Sequence, residues 1–275
     1  MPIVSNPSPL AVGGNGRVLA ELHGRTLLVT LNRPEARNAV NNDLATGVGE
    51  ALDHAEDTPD IWTVIITGAG DKSFCAGADL KEAATGRLGK GDDRFDRWGF
   101  AGYVSHAISK PTIAAVNGFA LGGGTEIVLA SDLAVAVDTA SFGLPEVKRG
   151  IFAGAGGAFR LARQIPDKIA MEHLLTGIPM TAARALELGL VNRVVPVDQL
   201  LETAFWLADA ICENAPLSVQ TSKRIARGIT DRHIAAEDDD WARTTAEAER
   251  LMRSVDAAEG MRAFAEKRAP QWTGR

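Results

Sequence analysis

Two glutamates twenty residues apart, Glu126 and Glu146, are the best candidates in this sequence for acid–base chemistry. Glu126 ends the run Gly-Gly-Gly-Thr-Glu, which lies between a predicted buried strand and an apolar helix. The first amides of a helix lack intrahelical partners and lie at the positive end of its dipole, so they can stabilise a developing oxyanion. Gly123 and Glu126 could therefore supply a donor and a carboxylate to one site. A tight strand–helix junction with an exposed glutamate fits the same residues.

Glu146 follows Pro145, which stiffens the backbone, and the apolar residues upstream predict a partly buried position. Burial disfavours the charged form of a carboxyl, which suits a proton donor near neutral pH. The alternative is a surface glutamate in a charged loop with Lys148 and Arg149. Downstream, the glycine-rich run 150–157 could form a pocket floor or a flexible connector.

The Ala78 amide is a second candidate oxyanion donor. Asp79 and Glu82 have the spacing of a capping box, which predicts a helix that begins after Asp79. Ala78 would then lie just before that helix, and Gly77 would permit a close approach of the backbone. An ordinary loop-to-helix cap would need the same residues, so the pattern alone leaves both interpretations open.

Composition limits the remaining possibilities. The 275 residues are 45% hydrophobic and 23% charged, with a net charge of −6, which argues against the basic footprint of a nucleic-acid-binding protein. The two cysteines, Cys75 and Cys212, form neither a metal-ligand pair nor a disulfide framework, which favours a reducing, cytoplasmic setting. No apolar run approaches the ~18 residues of a membrane span.

Strands alternate with helices up to about residue 155, and helices predominate afterwards, which predicts an α/β fold with a helical C-terminal part. We expect a disordered lead-in at 1–16, a core at 17–205 and a helical region at 206–275. Strands are predicted at 17–21, 26–31, 61–67, 112–116 and 133–137, a glycine-dense turn at 118–124, and helices at 41–56, 97–109 and 233–255, among others.

Taken together, these residues resemble the enoyl-CoA hydratase/isomerase (crotonase) family, hydratase type, over roughly residues 17–275. The stretches that carry the resemblance are Leu31-Asn32-Arg33-Pro34 with Asn38-Ala39, Ile66-Thr67-Gly68, Phe74–Lys81, Lys110-Pro111 through Glu126, Ser141–Gly150 and Ala263–Arg268. The resemblance implies a spiral of ββα units with a helical C-terminal trimerisation region, usually assembled as a homotrimer or a homohexamer. It implies an acyl-CoA substrate and no metal or other cofactor, since CoA is part of the substrate.

The resemblance also assigns roles to residues. Ala78 and Gly123 match the two peptide N–H groups that hold the thioester oxygen, and Glu126 and Glu146 match the acid/base pair. The positions that match CoA contacts are Ala36, Arg37, Ala39, Ala76, Asp79, Leu80, Lys81, Phe264 and Lys267. Glu35 stands where a lysine is common, and Ala153 and Ala158-Phe159 depart from the usual hydratase residues, which leaves the acyl group open.

Hydration of a 2-enoyl-CoA is the leading hypothesis, because both glutamates are kept. The segment 99–102 and the ending 264–272 are similar to carnitinyl-CoA dehydratases, so crotonobetainyl-CoA hydration is an alternative. Double-bond isomerisation is another, although isomerase-type members often keep only one glutamate. A non-catalytic acyl-CoA-binding or RNA-binding member, or a structural oligomer, would leave the glutamate pair unexplained.

Overall fold

The computed structural model describes residues 7–275, which form thirteen strands, eleven α-helices and several short 3-10 helices. The strands are β1 Ser8–Leu10, β2 Val18–His23, β3 Thr26–Leu31, β4 Thr63–Gly68, β5 Ser73–Cys75, β6 Thr112–Val116, β7 Phe119–Leu121, β8 Leu133–Val137, β9 Ser141–Gly143, β10 Met180–Thr181, β11 Arg193–Val195, β12 Ile229–Thr230 and β13 His233–Ile234. The helices are α1 Asn42–Asp57, α2 Leu80–Ala84, α3 Arg94–Trp98, α4 Gly123–Ala130, α5 Gly157–Gln164, α6 Asp167–Thr176, α7 Ala182–Glu187, α8 Leu200–Cys212, α9 Pro216–Arg227, α10 Asp238–Leu251 and α11 Val255–Ala265.

A seven-stranded sheet with the order β1-β2-β3-β4-β6-β8-β11 forms the centre of the molecule. The strands β1, β2 and β3 pair antiparallel, whereas β3, β4, β6, β8 and β11 pair parallel. Every residue of β4 is buried, as expected for a parallel strand that is covered on both faces. The predicted α/β class is confirmed.

The chain alternates between this sheet and a second one with the order β10-β9-β7-β5. It runs β4 to β5, then β6 to β7, then β8 to β9, and each pair is followed by helical structure. Parallel neighbours need crossover connections, and here each crossover carries a short strand and a helix. The result is the predicted spiral of ββα turns, which brings the ends of β5, β7 and β9 to one edge.

Two predictions about local structure were wrong. The expected helix at 97–109 ends at Trp98, because Gly99, Ala101 and Gly102 adopt positive φ angles of 69°, 62° and 69°. A Cβ on Gly102 would lie 2.1 Å from the carbonyl oxygen of Ala45, so the segment packs directly against α1. The expected glycine-dense turn at 118–124 contains β7.

The N-terminal and C-terminal regions also differ from expectation. Residues 1–6 of the predicted disordered lead-in lie outside the described residues, but residues 8–10 are ordered as β1 against β2, which corrects that part of the prediction. Toward the other end, the hairpin β12–β13 precedes α10, so the helix predicted at 233–255 begins only at Asp238. Among residues 7–275, no helix is long and apolar enough to cross a membrane.

Candidate active site

The N-terminus of α4 positions the first carboxyl. The strand β7 ends at Leu121, Gly122 turns the chain with a φ of 57°, and Gly123 is the first residue of α4. Because Glu126 lies one turn further along, its side chain points into the molecule and is only 3% exposed. The exposed-glutamate alternative is thereby excluded.

Thr125 holds this junction in place, and the sequence analysis did not single it out. Its hydroxyl donates to the carbonyl of Ala120 at 2.7 Å and accepts the N–H of Gly143 at 3.0 Å. The Gly122 N–H also bonds to the Gly143 carbonyl at 2.8 Å. The start of α4 is therefore fixed to β9, two residues before the segment that carries the second glutamate.

The Glu126 carboxyl receives two backbone hydrogen bonds. Its Oε1 accepts the N–H of Ala155 at 2.7 Å and that of Gly157 at 2.9 Å. A Cβ on Gly157 would lie 2.9 Å from the same oxygen, so glycine is needed for this approach. The glycine-rich run before α5 is thus an amide cradle for Glu126, a role the sequence left undecided between a pocket floor and a connector.

Glu146 lies on a 3-10 helix, Pro145–Arg149, at the exit of β9. Its Oε1 would lie 3.0 Å from a Cβ placed on Gly122, so the carboxyl faces the turn that leads into α4. Its Oε2 is buried, and no described residue gives it a hydrogen-bond partner. The predicted partly buried position of Glu146 is confirmed.

Both carboxyls have raised pKa values. Burial, reinforced by the negative charge of Glu146, raises the pKa of Glu126 to about 8, although the amides of Gly157 and Ala155 oppose the shift. Burial raises the pKa of Glu146 to about 7. Near neutral pH the two groups therefore hold about one proton between them, and because they are coupled they titrate as a pair.

The two candidate oxyanion donors lie on adjacent segments. Ala78 forms a parallel bridge with Val40 that uses the Gly77 carbonyl and the Asp79 N–H, each at 2.8 Å. In a parallel bridge this pattern directs the N–H of Ala78 itself away from Val40. A Cβ on Gly77, whose φ is 90°, would lie 3.2 Å from the Gly123 nitrogen, so the strand end and the helix start are in contact.

Phe100 covers this contact. The segment 99–102 was noted for its family similarity but predicted as helix, so sequence reasoning did not identify Phe100 as a site residue. A Cβ on Gly123 would lie 2.1 Å from Cε1 of the Phe100 ring. The ring therefore packs on the first residue of α4, where only glycine fits. The glycines that flank Phe100-Ala101 were the available signal, since glycine interrupts helices.

The predicted CoA contacts Ala36, Arg37 and Ala39 lie beside Ala76. The Ala76 N–H bonds to the Arg37 carbonyl at 3.1 Å, so these backbones run alongside each other. Buried Asn38 fixes the stretch, because its amide donates to the carbonyls of Ala69 and Ser73. The side chain of Arg37 is exposed to solvent.

Asp79 caps α2, as predicted. Its Oδ1 accepts the N–H of Lys81 at 3.0 Å and that of Glu82 at 3.4 Å, and its Oδ2 pairs with Arg33 at 2.9 Å. Burial raises the pKa of Asp79, but Arg33 and the two amides outweigh it and hold the pKa below its usual value. The carboxylate is engaged within the protein, whereas Leu80 and Lys81 are exposed, and Lys81 lines a cavity of about 770 Å³.

Phe264 and Lys267 line a different cavity, of about 320 Å³, together with Lys148 and Arg149. The Arg149 guanidinium lies 3.8 Å above the Phe264 ring. A Cβ on Gly260 would lie 2.1 Å from the Arg149 carbonyl oxygen, so α11 packs directly on the 3-10 helix of Glu146. These two predicted contacts therefore lie beside the 3-10 helix that carries Glu146, away from the cavity that Lys81 lines.

Comparisons with known proteins agree with this arrangement. Residues 22–275 match the family model described as enoyl-CoA hydratase/isomerase. A carnitinyl-CoA dehydratase from Proteus mirabilis is 42% identical over 256 residues, which are 92% of this chain and 96% of that protein. An enoyl-CoA hydratase from Mycobacterium tuberculosis is 43% identical over 264 residues, 94% of this chain and 96% of that protein.

Solved structures give the same picture. A carnitinyl-CoA hydratase from Mycobacterium avium is 56% identical and superposes with a TM-score of 0.91, over 94% of this chain and 99% of that one. An enoyl-CoA hydratase from Mycobacterium tuberculosis H37Rv is 42% identical with a TM-score of 0.72, at the same coverage of both chains.

Proposed function

Because this chain belongs to the enoyl-CoA hydratase/isomerase family, we propose that it adds water reversibly to a 2-enoyl-CoA thioester and gives a 3-hydroxyacyl-CoA. The observation that carries the proposal is the buried carboxyl of Glu126 together with the partly buried carboxyl of Glu146, both beside the first residue of α4. A hydro-lyase needs a base for water and an acid for carbon in one place, and this pair supplies both.

The thioester oxygen is the first group to be held. In the proposed complex it accepts hydrogen bonds from the N–H groups of Ala78 and Gly123, which withdraws electrons from the C2–C3 double bond. As water attacks C3, negative charge develops on that oxygen, and each such donor contributes on the order of 3 kcal/mol to the barrier lowering. The aromatic ring of Phe100 on Gly123 helps to exclude bulk water from this point.

The two glutamates then move the protons. Glu126 takes one proton from water while the hydroxyl oxygen bonds to C3, and Glu146 gives its proton to C2. The two N–H groups that donate to Glu126 Oε1 favour an ionised base. The buried Oε2 of Glu146 has no hydrogen-bond partner among residues 7–275, which favours a neutral acid. The higher pKa of Glu126 alone would favour the opposite assignment, with Glu126 as the acid and Glu146 as the base. Because the two carboxyls titrate as a pair, the division of roles is part of the proposal.

A second candidate is the same reaction on a carnitinyl or crotonobetainyl group. The observation that favours it is the closer similarity to the structure of a carnitinyl-CoA hydratase than to that of an enoyl-CoA hydratase from Mycobacterium tuberculosis. Both reactions need the same carboxyl pair and the same oxyanion donors, so only the acyl group distinguishes them.

The other assignments remain part of the proposal. The proposed contacts to CoA are Ala36, Arg37, Ala39, Ala76, Asp79, Leu80, Lys81, Phe264 and Lys267. We propose a cytoplasmic homotrimer or homohexamer whose trimer contacts lie in residues 206–275, and a reaction that needs no cofactor beyond the CoA of the substrate.

The test is hydration of crotonyl-CoA, followed as loss of enone-thioester absorbance, with Glu126→Gln and Glu146→Gln as variants. Exposed Glu213→Gln is the matched control. We expect kcat to fall about 10²–10⁴-fold in each buried variant and to stay unchanged in the control. Folded protein that binds CoA esters but does not hydrate crotonyl-CoA would contradict the general proposal, and crotonobetainyl-CoA turnover would then support the second candidate.

A further inference from the structure

We propose that Arg160 is a positioning residue for Glu126 and that Glu237 sets the strength of its effect. This inference rests on the proposed function, because it assumes that Glu126 is catalytic. Arg160 lies on α5, directly after the amide cradle, and Glu237 lies immediately before α10. The helical C-terminal part of the chain would thus influence a carboxyl that belongs to the α/β core.

The guanidinium of Arg160 is buried and donates three hydrogen bonds. Its Nε and Nη2 donate to the two carboxylate oxygens of Glu237 at 3.0 and 2.6 Å, and its Nη1 donates to the carbonyl of Val104 at 2.8 Å. The Trp241 indole N–H bonds to the same Glu237 carboxylate at 3.3 Å. A bidentate pair of this kind fixes orientation as well as charge.

Arg160 reaches Glu126 through Gly156. A Cβ on Gly156 would lie 3.2 Å from Arg160 Nη1 and 3.3 Å from the Trp241 ring, so both side chains back this residue. Gly156 stands between Ala155 and Gly157, whose N–H groups hold Glu126. The guanidinium therefore packs against the middle residue of the cradle.

Arg160 also acts on Glu126 by charge. Its positive charge lowers the pKa of Glu126, against the larger effects of burial and of Glu146. The ionisable groups near Glu126 are Glu146 from the 3-10 helix, Arg160 from α5 and Cys75 from β5, and burial raises the pKa of the Cys75 thiol to about 12, so it stays neutral. Glu237 offsets part of the Arg160 charge, since the two form a salt bridge at 2.6 Å.

The pair therefore predicts two shifts of opposite sign. Arg160→Gln removes a cation and should raise the apparent pKa of the glutamate pair, whereas Glu237→Gln leaves the cation uncompensated and should lower it. We expect each shift to be about 0.5 pH unit. If the two residues only stabilised the fold, their replacement would not shift the pKa in opposite directions, because loss of packing does not depend on the sign of the charge that is removed.

The experiment is a pH titration of full-length protein labelled with ¹³C at the glutamate carboxyls, with assignment from Glu126→Gln and Glu146→Gln. Arg160→Lys retains the positive charge, so the pKa of the glutamate pair should stay near its wild-type value. This variant keeps the proposal testable if Arg160→Gln folds poorly. Arg163→Gln is the matched control, because Arg163 pairs with Asp240 across the same two helices and is half exposed. It should leave the titration unchanged.

The outcomes separate this inference from the proposed function. Opposite shifts in Arg160→Gln and Glu237→Gln, with no shift in Arg163→Gln, support it. Shifts of the same sign, no shift, or an equal shift in Arg163→Gln overturn it, even in an active hydratase. Absence of crotonyl-CoA turnover by the wild-type protein would instead count against the proposed function, since the carboxyl titration does not depend on turnover.

Discussion

Gly157 donates its N–H to Glu126 Oε1 at 2.9 Å, which ties the first residue of α5 to a carboxyl on the first turn of α4. The two residues are 31 positions apart in the chain. A side chain at Gly157 would meet that oxygen, so we predict that Gly157→Ala displaces Glu126 and lowers kcat about 10–100-fold, the range typical of a displaced catalytic group. Steady-state hydration kinetics provide the measurement.

Gly154→Ala is the control for this prediction. The atoms nearest to a Cβ on Gly154 would be those of the Phe152 ring and the Phe152 carbonyl, at ordinary contact distances of 3.5 Å or more. We expect nearly wild-type kcat there. Equal loss of activity in both variants would show that the run 150–157 needs glycine for flexibility rather than for the Glu126 cradle.

The raised pKa values of the glutamate pair predict a bell-shaped dependence of kcat/KM on pH. Below about 7 both carboxyls are protonated and no base remains, whereas above about 8 both are ionised and no acid remains. In Glu146→Gln the pKa of Glu126 should fall, because the neighbouring negative charge is gone. A flat profile between pH 6 and 9 would contradict an acid–base pair with these values.

Stability should also depend on pH through Glu126. Its pKa is raised from 4.5 to about 8, so the folded protein binds the proton more tightly than the unfolded chain. The free energy of unfolding therefore falls as the pH rises from 4.5 through about 8, and levels off above that. Glu126→Gln cannot ionise at this position, so its free energy of unfolding should rise relative to that of the wild type by roughly 4 kcal/mol between pH 5 and pH 9.

Urea denaturation at several pH values measures that difference. Glu213→Gln, an exposed substitution, should differ from wild type by the same small amount at every pH. The prediction fails if the advantage of Glu126→Gln is the same at pH 5 as at pH 9.

Gly260 lets α11 pack on the segment that carries Glu146. Its Cβ would lie 2.1 Å from the Arg149 carbonyl, so Gly260→Ala must shift the backbone three residues after Glu146. We expect a cost of about 1–3 kcal/mol in unfolding free energy and a several-fold lower kcat. The neighbouring, exposed Met261→Ala should cost less than about 0.5 kcal/mol and leave kcat unchanged.

The proposed CoA contacts can be separated from the chemistry by kinetics. Lys81 and Lys267 are exposed cations at two cavities, so replacement by alanine should raise KM about 3–10-fold with little change in kcat. Raising the salt concentration should narrow the difference from wild type, because exposed charges are screened. A large fall in kcat in either variant would contradict a pure binding role.

Much of the fold was predictable because it depends on local pattern. The β-branched run at 61–67 indicated a buried strand, and the spacing of Asp79 and Glu82 indicated where α2 begins. The prediction of a helix at 97–109 was wrong because tertiary packing overrides the local pattern there. Gly102 packs closely on α1, which is incompatible with a continuous helix. The short strand β11 escaped notice because three residues carry too little pattern.

By itself, the sequence determined which groups are available: two glutamates, glycine-flanked helix starts and a family pattern that relates them. Only the tertiary structure decided that Glu126 is buried on the amides of a run 29–31 residues away, and that Arg160 meets Glu237 across 77 residues. Such contacts depend on how successive turns of the spiral stack on one another, and local sequence patterns do not predict that stacking. Burial then sets the carboxyl pKa values, because removal from water penalises the charged form whatever the local sequence.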